Sequence, residues 1–473
     1  MYNASSSAKI LEKANEGEFI KDEKSCLQSL WFSNIDSRRQ NLEQPADQTC
    51  LWLFKSRNRE KHYGHVWVKG KPGAGKSILM KEAFRRAALG QIKSDYWTAA
   101  FFFSAKGDEL EHSPVGLFRS LLYQLLPRHR EHLRSFSKIW NEKDLSWGNN
   151  GDEAHPWREA ELRSFFQSVF AQQAAKRTLI FIDALDECDS NSVRSQAYFW
   201  REVTISAYAA GVHLNVCLAS RHSPSITISD CPEIVVDNHN RHDIATYVEQ
   251  KFKLGIASEE PQWEVLRDKI LSKSAGMFLW VALVVDDVLK KWDDGMVLQY
   301  LLKQLDIVPE ELETLFAQMF LSLNVEARQL TIRLFHWAIL AAKPLRLHEW
   351  HHILAFIRQP TPLSLREWRE SVDFTMTDDQ LERQIKSISK GLVEVNSMAK
   401  ESQGEDFDTM SVCAGAGSLD LEHGETRVIQ VIHESVREFF LQSNGFSILD
   451  PSLEPFPIGN GNPSFQDQVP HLL

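Results

Sequence analysis

The sequence predicts an α/β domain built on a parallel sheet covered by helices, followed by a helical domain and a smaller domain carrying a two-stranded hairpin. Three observations predict it. Short apolar runs recur at 65–69, 98–103, 178–182, 214–219 and 233–236, separated by amphipathic stretches, as strands alternating with helices require. From Asp243 onward the apolar residues recur at helical spacing. Near the end, two strand-like runs at 391–395 and 427–432 flank a polar insertion.

Residues 1 to about 24 are polar and rich in Lys and Glu, and read as a loosely held helix or tail. Packed structure starts near Cys26, with Leu27, Leu30, Trp31 and Phe32, and a second apolar cluster spans Cys50 to Phe54. His65-Val66-Trp67-Val68-Lys69 reads as the first strand, followed by a helix over Ser77–Phe84. Thr98–Phe103 is continuously apolar, the mark of a strand buried on both faces. Ser113-Pro114 supplies an N-cap and a first-turn proline for a helix over Leu117–Leu126. Thr178–Ile182, Leu214–Ala219 and Glu233–Val236 complete the strands.

Helical periodicity then runs through Ile244, Tyr247, Val248 and Phe252, through Trp263–Leu271 and Phe278–Leu289, and through a helix after Pro309. Gly391–Val395 and Arg427–Ile432 read as a hairpin joined by a flexible acidic insertion at 398–426. The expected organisation is an N-terminal segment 1–60, an α/β domain 61–240, a helical domain 241–308, a third domain 309–445 and a proline-bearing tail 446–473.

At 473 residues the chain exceeds a single core, since cores stop growing at roughly 250–300 residues. A net charge of -11 argues against a nucleic-acid partner, which would need clustered Lys and Arg. No apolar run reaches the roughly 20 residues that span a bilayer, and no secretion signal opens the chain. Six cysteines without CxxC spacing fit reduced thiols and a cytoplasmic protein.

The sharpest motif is Gly70-Lys71-Pro72-Gly73-Ala74-Gly75-Lys76-Ser77, between the first strand and its helix. A triphosphate needs converging amides and a cation. Gly70, Gly73 and Gly75 let the loop curl, the helix start adds its positive dipole end, Lys76 meets the β- and γ-phosphates, and the Ser77 hydroxyl ligates Mg²⁺. Asp183, at the carboxyl end of Leu179–Ile182, supplies the carboxylate on the far side of the metal. Asp186 and Glu187 follow, and Glu187 is the favoured group to take a proton from an attacking water. Arg221, after the strand Leu214–Ala219, is placed to report the γ-phosphate.

Together the GKPGAGKS loop, LIFIDALDEC at 179–188 and LASRHSP at 218–224 resemble the NACHT domain of the STAND P-loop NTPases. The spacing Asp183, small Ala184, Asp186-Glu187 is the discriminating part. Segments 26–54, 113–127, 274–289 and 428–441 are similar to fungal NACHT (NLR-like) proteins in particular, so the resemblance covers roughly residues 25–445.

The resemblance implies an order of NACHT domain, helical domain and winged helix, with the winged helix at 309–445. It implies ATP or ADP with Mg²⁺, slow hydrolysis, and a switch between a closed ADP form and an open form that homo-oligomerises. It also implies that His433 touches the β-phosphate and that Phe278, in Gly276-Met277-Phe278-Leu279, stands where relatives place a proline on adenine. Relatives usually add a repeat array and an effector domain. Neither end of this chain has room for one, so a truncated member, a fragment, or a sensor or effector supplied in trans is expected.

His348-Glu349-Trp350-His351-His352 matches HExxH, a zinc-protease pattern, but no third ligand follows at a defensible spacing, and a core helix is the expected setting. Against the switch stand two other readings, a scaffold that binds nucleotide without hydrolysing it appreciably and a winged-helix DNA-binding regulator, the latter in conflict with the acidic balance.

Overall fold

The computed structural model describes residues 22–55, 64–91, 96–147, 157–171, 177–189, 191–223, 226, 228–229, 231–255, 262–341, 344–358, 364–397 and 427–453. The expected N-terminal tail up to residue 21, the insertion 398–426 and the chain beyond 453 lie outside them. The chain forms two compact units. One comprises residues 1–45, 50–70 and 76–239, the other residues 46–49, 71–75 and 240–473.

In the first unit five strands, β1 (His65–Lys69), β2 (Trp97–Phe102), β3 (Thr178–Asp183), β4 (Leu214–Ser220) and β5 (Glu233–Val235), form one sheet in the order β2-β3-β4-β1-β5. Every pairing is parallel, with Phe102 opposite Asp183 and Lys69 opposite Ser220. That register brings the carboxyl ends of β1, β3 and β4 to one edge.

The continuous apolar runs are explained by two covered faces. Trp67, Ile180, Ile182, Val216 and Leu218 share a core with Phe118, Phe166 and Trp200, from the helices Pro114–Leu125, Glu159–Phe170 and Val193–Ala209. The alternate residues face the helix Lys76–Ala88, where Phe84 meets Phe181 edge-on at 6.0 Å and Met80 lies 3.6 Å from Cys217. Ser113 caps its helix as expected, accepting from Gly116 N.

Among the described residues the second unit is helical, from Arg241–Gly255 to Gly445–Leu449, with an antiparallel hairpin of β6 (Val393–Ser397) and β7 (Arg427–Val431). A single apolar core runs from Ile244 to Leu449 and includes Trp280, Phe316, Phe335, Trp350 and Phe439. Phe446 and Leu449 are buried in it, so the packed chain continues past 445, where a tail was expected.

Strand β6 starts two residues later than the apolar run at 391–395. Lys390 and Gly391 both have positive φ and close the end of the helix Asp378–Ile388, with Gly391 N donating to Lys386 O.

Candidate functional site

Strand β1 ends at Lys69, and the loop Gly70–Gly75 turns the chain into the helix Lys76–Ala88. Gly73 and Gly75 have φ of +71° and +95°, a region closed to most side chains, so these positions need glycine. The Lys76 ammonium folds back to donate to Gly70 O at 2.9 Å. Burial pushes Lys76 below the ordinary lysine value, partly offset by the carboxylates of Asp186 and Asp183.

The arc Lys71–Gly75 is held from Asn240 and the segment 275–279, far downstream, a support that the sequence does not signal. Leu279 N donates to Gly73 O at 2.9 Å, Lys71 Nζ reaches Ala275 O at 3.2 Å, and Asn240 Nδ2 bridges Ala74 O at 3.0 Å and Gly276 O at 2.7 Å. A Cβ on Gly73 would lie 2.7 Å from that of Leu279, and one on Gly75 would lie 4.0 Å from the Phe278 Cβ. Phe278 therefore adjoins the loop, edge-on to Tyr247 at 5.0 Å.

Strand β3 delivers Asp183 to the same edge of the sheet as the loop. It is 1% exposed, and neither carboxylate oxygen meets a donor at full hydrogen-bond geometry, although the Ser77 hydroxyl lies beside it. Burial raises its pKa to about 6, with the Ser77 hydroxyl, Arg38 and Lys76 pulling it back down and Glu187 pushing it further up. An under-satisfied, buried, two-oxygen acceptor beside a serine hydroxyl is a hard-oxygen donor set suited to Mg²⁺. The residues present thus fit a phosphate-bound divalent cation, with Ser77 and Asp183 as the groups that would hold it.

After Asp183 the chain reverses through Ala184 in the left-handed region, φ +52°, into a 3₁₀ turn over Leu185–Glu187. A small residue suits that turn. Asp186 and Arg221 are brought together: Arg221 N donates to Oδ1 at 2.9 Å, and its Nε lies 3.2 Å from Oδ2. Burial raises Asp186, Glu187 adds to that, and Arg221 opposes it. Glu187 Oε2 accepts from Ala105 N at 3.0 Å, and its Oε1 lies 3.7 Å from Arg38. Arg38, like Asn240, carried no local motif that would have found it.

His433 sits in the second unit as the cap of the helix Glu434–Leu441, its Nδ1 accepting from Ser435 N at 3.1 Å. The HExxH residues lie on the helix Leu347–Arg358. His351 is held by Thr375 at 2.6 Å and Asp378 at 3.0 Å, and Glu349 accepts from Arg346 N at 2.7 Å. Among the described residues no helix is long and apolar enough to cross a membrane.

A family model described as "Nephrocystin 3, N-terminal" matches residues 48–221, the segment that holds the loop, Asp183 and Arg221. The curated "Vegetative incompatibility protein HET-E-1" of Podospora anserina is 22% identical over 380 residues, 75% of this chain. The chain spans only 26% of that protein's length. Among solved structures, loose likenesses include Drosophila ORC bound to DNA, at TM-score 0.36, 9% identity and 89% and 92% coverage of the two chains. Another is Cdc6p from Pyrobaculum aerophilum, at 0.35, 9%, 89% and 99%. With its five-stranded parallel sheet and glycine loop the chain has a P-loop NTPase fold, and it is a NACHT-like relative of the fungal incompatibility proteins.

Proposed function

We propose that this chain is a nucleotide-dependent signalling switch that binds ATP or ADP with Mg²⁺ and hydrolyses ATP slowly. The observation that carries the reading is Asp183, a buried carboxylate without a full hydrogen-bond partner, opposite a glycine loop that ends in Lys76 and Ser77. Mg²⁺-bound ATP supplies the scissile phosphoanhydride. Lys76, which donates to Gly70 O, would meet the phosphates, and Ser77 and Asp183 would hold the metal. Glu187, held at one oxygen by Ala105 N, takes a proton from the attacking water. Arg221, anchored on Asp186, lies at the end of β4 as the γ-phosphate reporter.

The wider reading rests on kinship with the incompatibility protein. ADP keeps the winged-helix region, 309–445, closed through His433, and exchange for ATP releases an open, homo-oligomerising form in fungal incompatibility or innate recognition. Action in the cytoplasm without a nucleic-acid partner is part of the same proposal.

Single-turnover hydrolysis separates this from a non-hydrolysing scaffold. Glu187→Gln is expected to slow the wild-type rate roughly 100-fold or more, the usual contribution of a general base. Equal rates in the two proteins would favour the scaffold.

A further inference from the structure

Two arginines stand side by side on the short helix Ser37–Asn41 and are used differently. Arg39 is turned aside, its Nε donating to Asp36 at 2.6 Å and its guanidinium resting over the Phe84 ring at 4.4 Å. Arg38 points the other way, to Glu187 Oε1 at 3.7 Å, with 18% of its side chain exposed and its Nε buried without an acceptor. The helix is pinned where it stands. Ser37 Oγ, itself buried, donates to Glu111 Oε1 at 3.0 Å, while Glu111 Oε2 accepts from Asp108 N at 2.9 Å. This anchor sits just beyond the end of β2, the strand that pairs with β3 and so places Ala105 beside Glu187.

Glu187 is therefore held from two sides, one oxygen by a backbone amide and the other by a guanidinium. A carboxylate that must align a water works best when its plane is fixed, because a displacement of about 1 Å costs roughly 100-fold in rate. Two other cations of the site are engaged elsewhere. Arg221 is spent on Asp186, and Lys76 on Gly70 O.

We infer that Arg38, contributed by the N-terminal segment, is a positioning residue that orients Glu187 for water activation, so that docking of this segment governs turnover. This rests on the reading of Glu187 as the base. Arg38 is not expected to add to nucleotide affinity.

The test uses the full chain and single-turnover hydrolysis of Mg²⁺-bound ATP in wild type, Arg38→Gln, Arg38→Lys, Glu187→Gln and the double variant Arg38→Gln/Glu187→Gln. Arg38→Gln keeps much of the packed stem, and folding of each variant is checked by ADP affinity. The expected result is a rate roughly tenfold lower in Arg38→Gln, since the Ala105 amide still holds one oxygen, with ADP affinity within twofold and partial recovery in Arg38→Lys. In the Glu187→Gln background, Arg38→Gln should change nothing further. Arg39→Ala, which disturbs the same helix without touching Glu187, should keep the wild-type rate.

An Arg38→Gln rate equal to wild type, beside a slowed Glu187→Gln, overturns the Arg38 assignment alone. So does an additive loss in the double variant, or a matching loss of ADP affinity. A Glu187→Gln rate equal to wild type, or no wild-type turnover, removes the base and the Arg38 assignment together.

Discussion

Asp183 should make the nucleotide-free protein less stable than it need be. Its carboxyl titrates at about 6 in the folded chain against an ordinary 3.8, chiefly through burial. An acid whose folded value is raised binds more protons folded than unfolded, so its contribution falls as pH rises from 3.8 to 6 and is fully unfavourable above that. From those two values the penalty is about 3 kcal/mol at pH 7.5, roughly half that at pH 5 and small below pH 3.8. Asp183→Asn keeps the shape and removes the charge, so it should stabilise the free protein by up to that amount. For a unit of this size, about 3 kcal/mol corresponds to roughly 6–12 °C in Tm. Thermal unfolding in EDTA without nucleotide, at pH 7.5 and pH 5, reads the effect. With Mg²⁺ and ADP the order should invert, because the variant loses the proposed metal ligand. An Asn variant no more stable than wild type at pH 7.5, or a gap that does not shrink at pH 5, would refute the reasoning.

Other perturbations follow from the same geometry. Lys76→Ala should weaken nucleotide binding roughly 100-fold, about 3 kcal/mol of charge-assisted contact, while near-UV circular dichroism stays native; calorimetry with ATP and ADP checks both. Gly73→Ala forces a Cβ to 2.7 Å from Leu279 in a left-handed backbone, and should cost about 1–3 kcal/mol of stability together with nucleotide affinity. An unchanged melting curve would show that the arc yields more easily than its contacts imply. His433→Leu should cost about 1 kcal/mol through the lost cap on Glu434–Leu441 and should shift the ADP-bound protein toward oligomers in size-exclusion chromatography. Loss of stability with an unchanged elution profile would leave His433 as a cap alone.

The sheet was legible in the sequence because strands covered on both faces leave unbroken apolar runs, as at Thr98–Phe103 and Thr178–Ile182. The phosphate loop was legible for a steric reason, since few residues other than glycine tolerate the φ values of Gly73 and Gly75. Arg38 and Asn240 were not. Arg38 reaches Glu187 across 149 positions, and Asn240 reaches Ala74 across 166, so their roles exist only once the chain has folded. The hairpin was found but its start was misplaced, because a left-handed Lys390 leaves no local signature of its own. The expected border near 308 corresponds to no break in the core, which carries Trp280 Nε1 across to Pro309 O at 2.7 Å.

The carbonyls of Gly73 and Ala74, tied to Leu279 N and Asn240 Nδ2, bear on the thermodynamics of ligand capture. A free glycine-rich loop is among the most disordered pieces of chain, and closing it around an anion would cost about 1–2 kcal/mol for each residue immobilised. Here that ordering takes place during folding, when the arc joins the segment 275–279. A nucleotide then meets peptide planes already oriented, and more of its charge attraction is expressed as affinity.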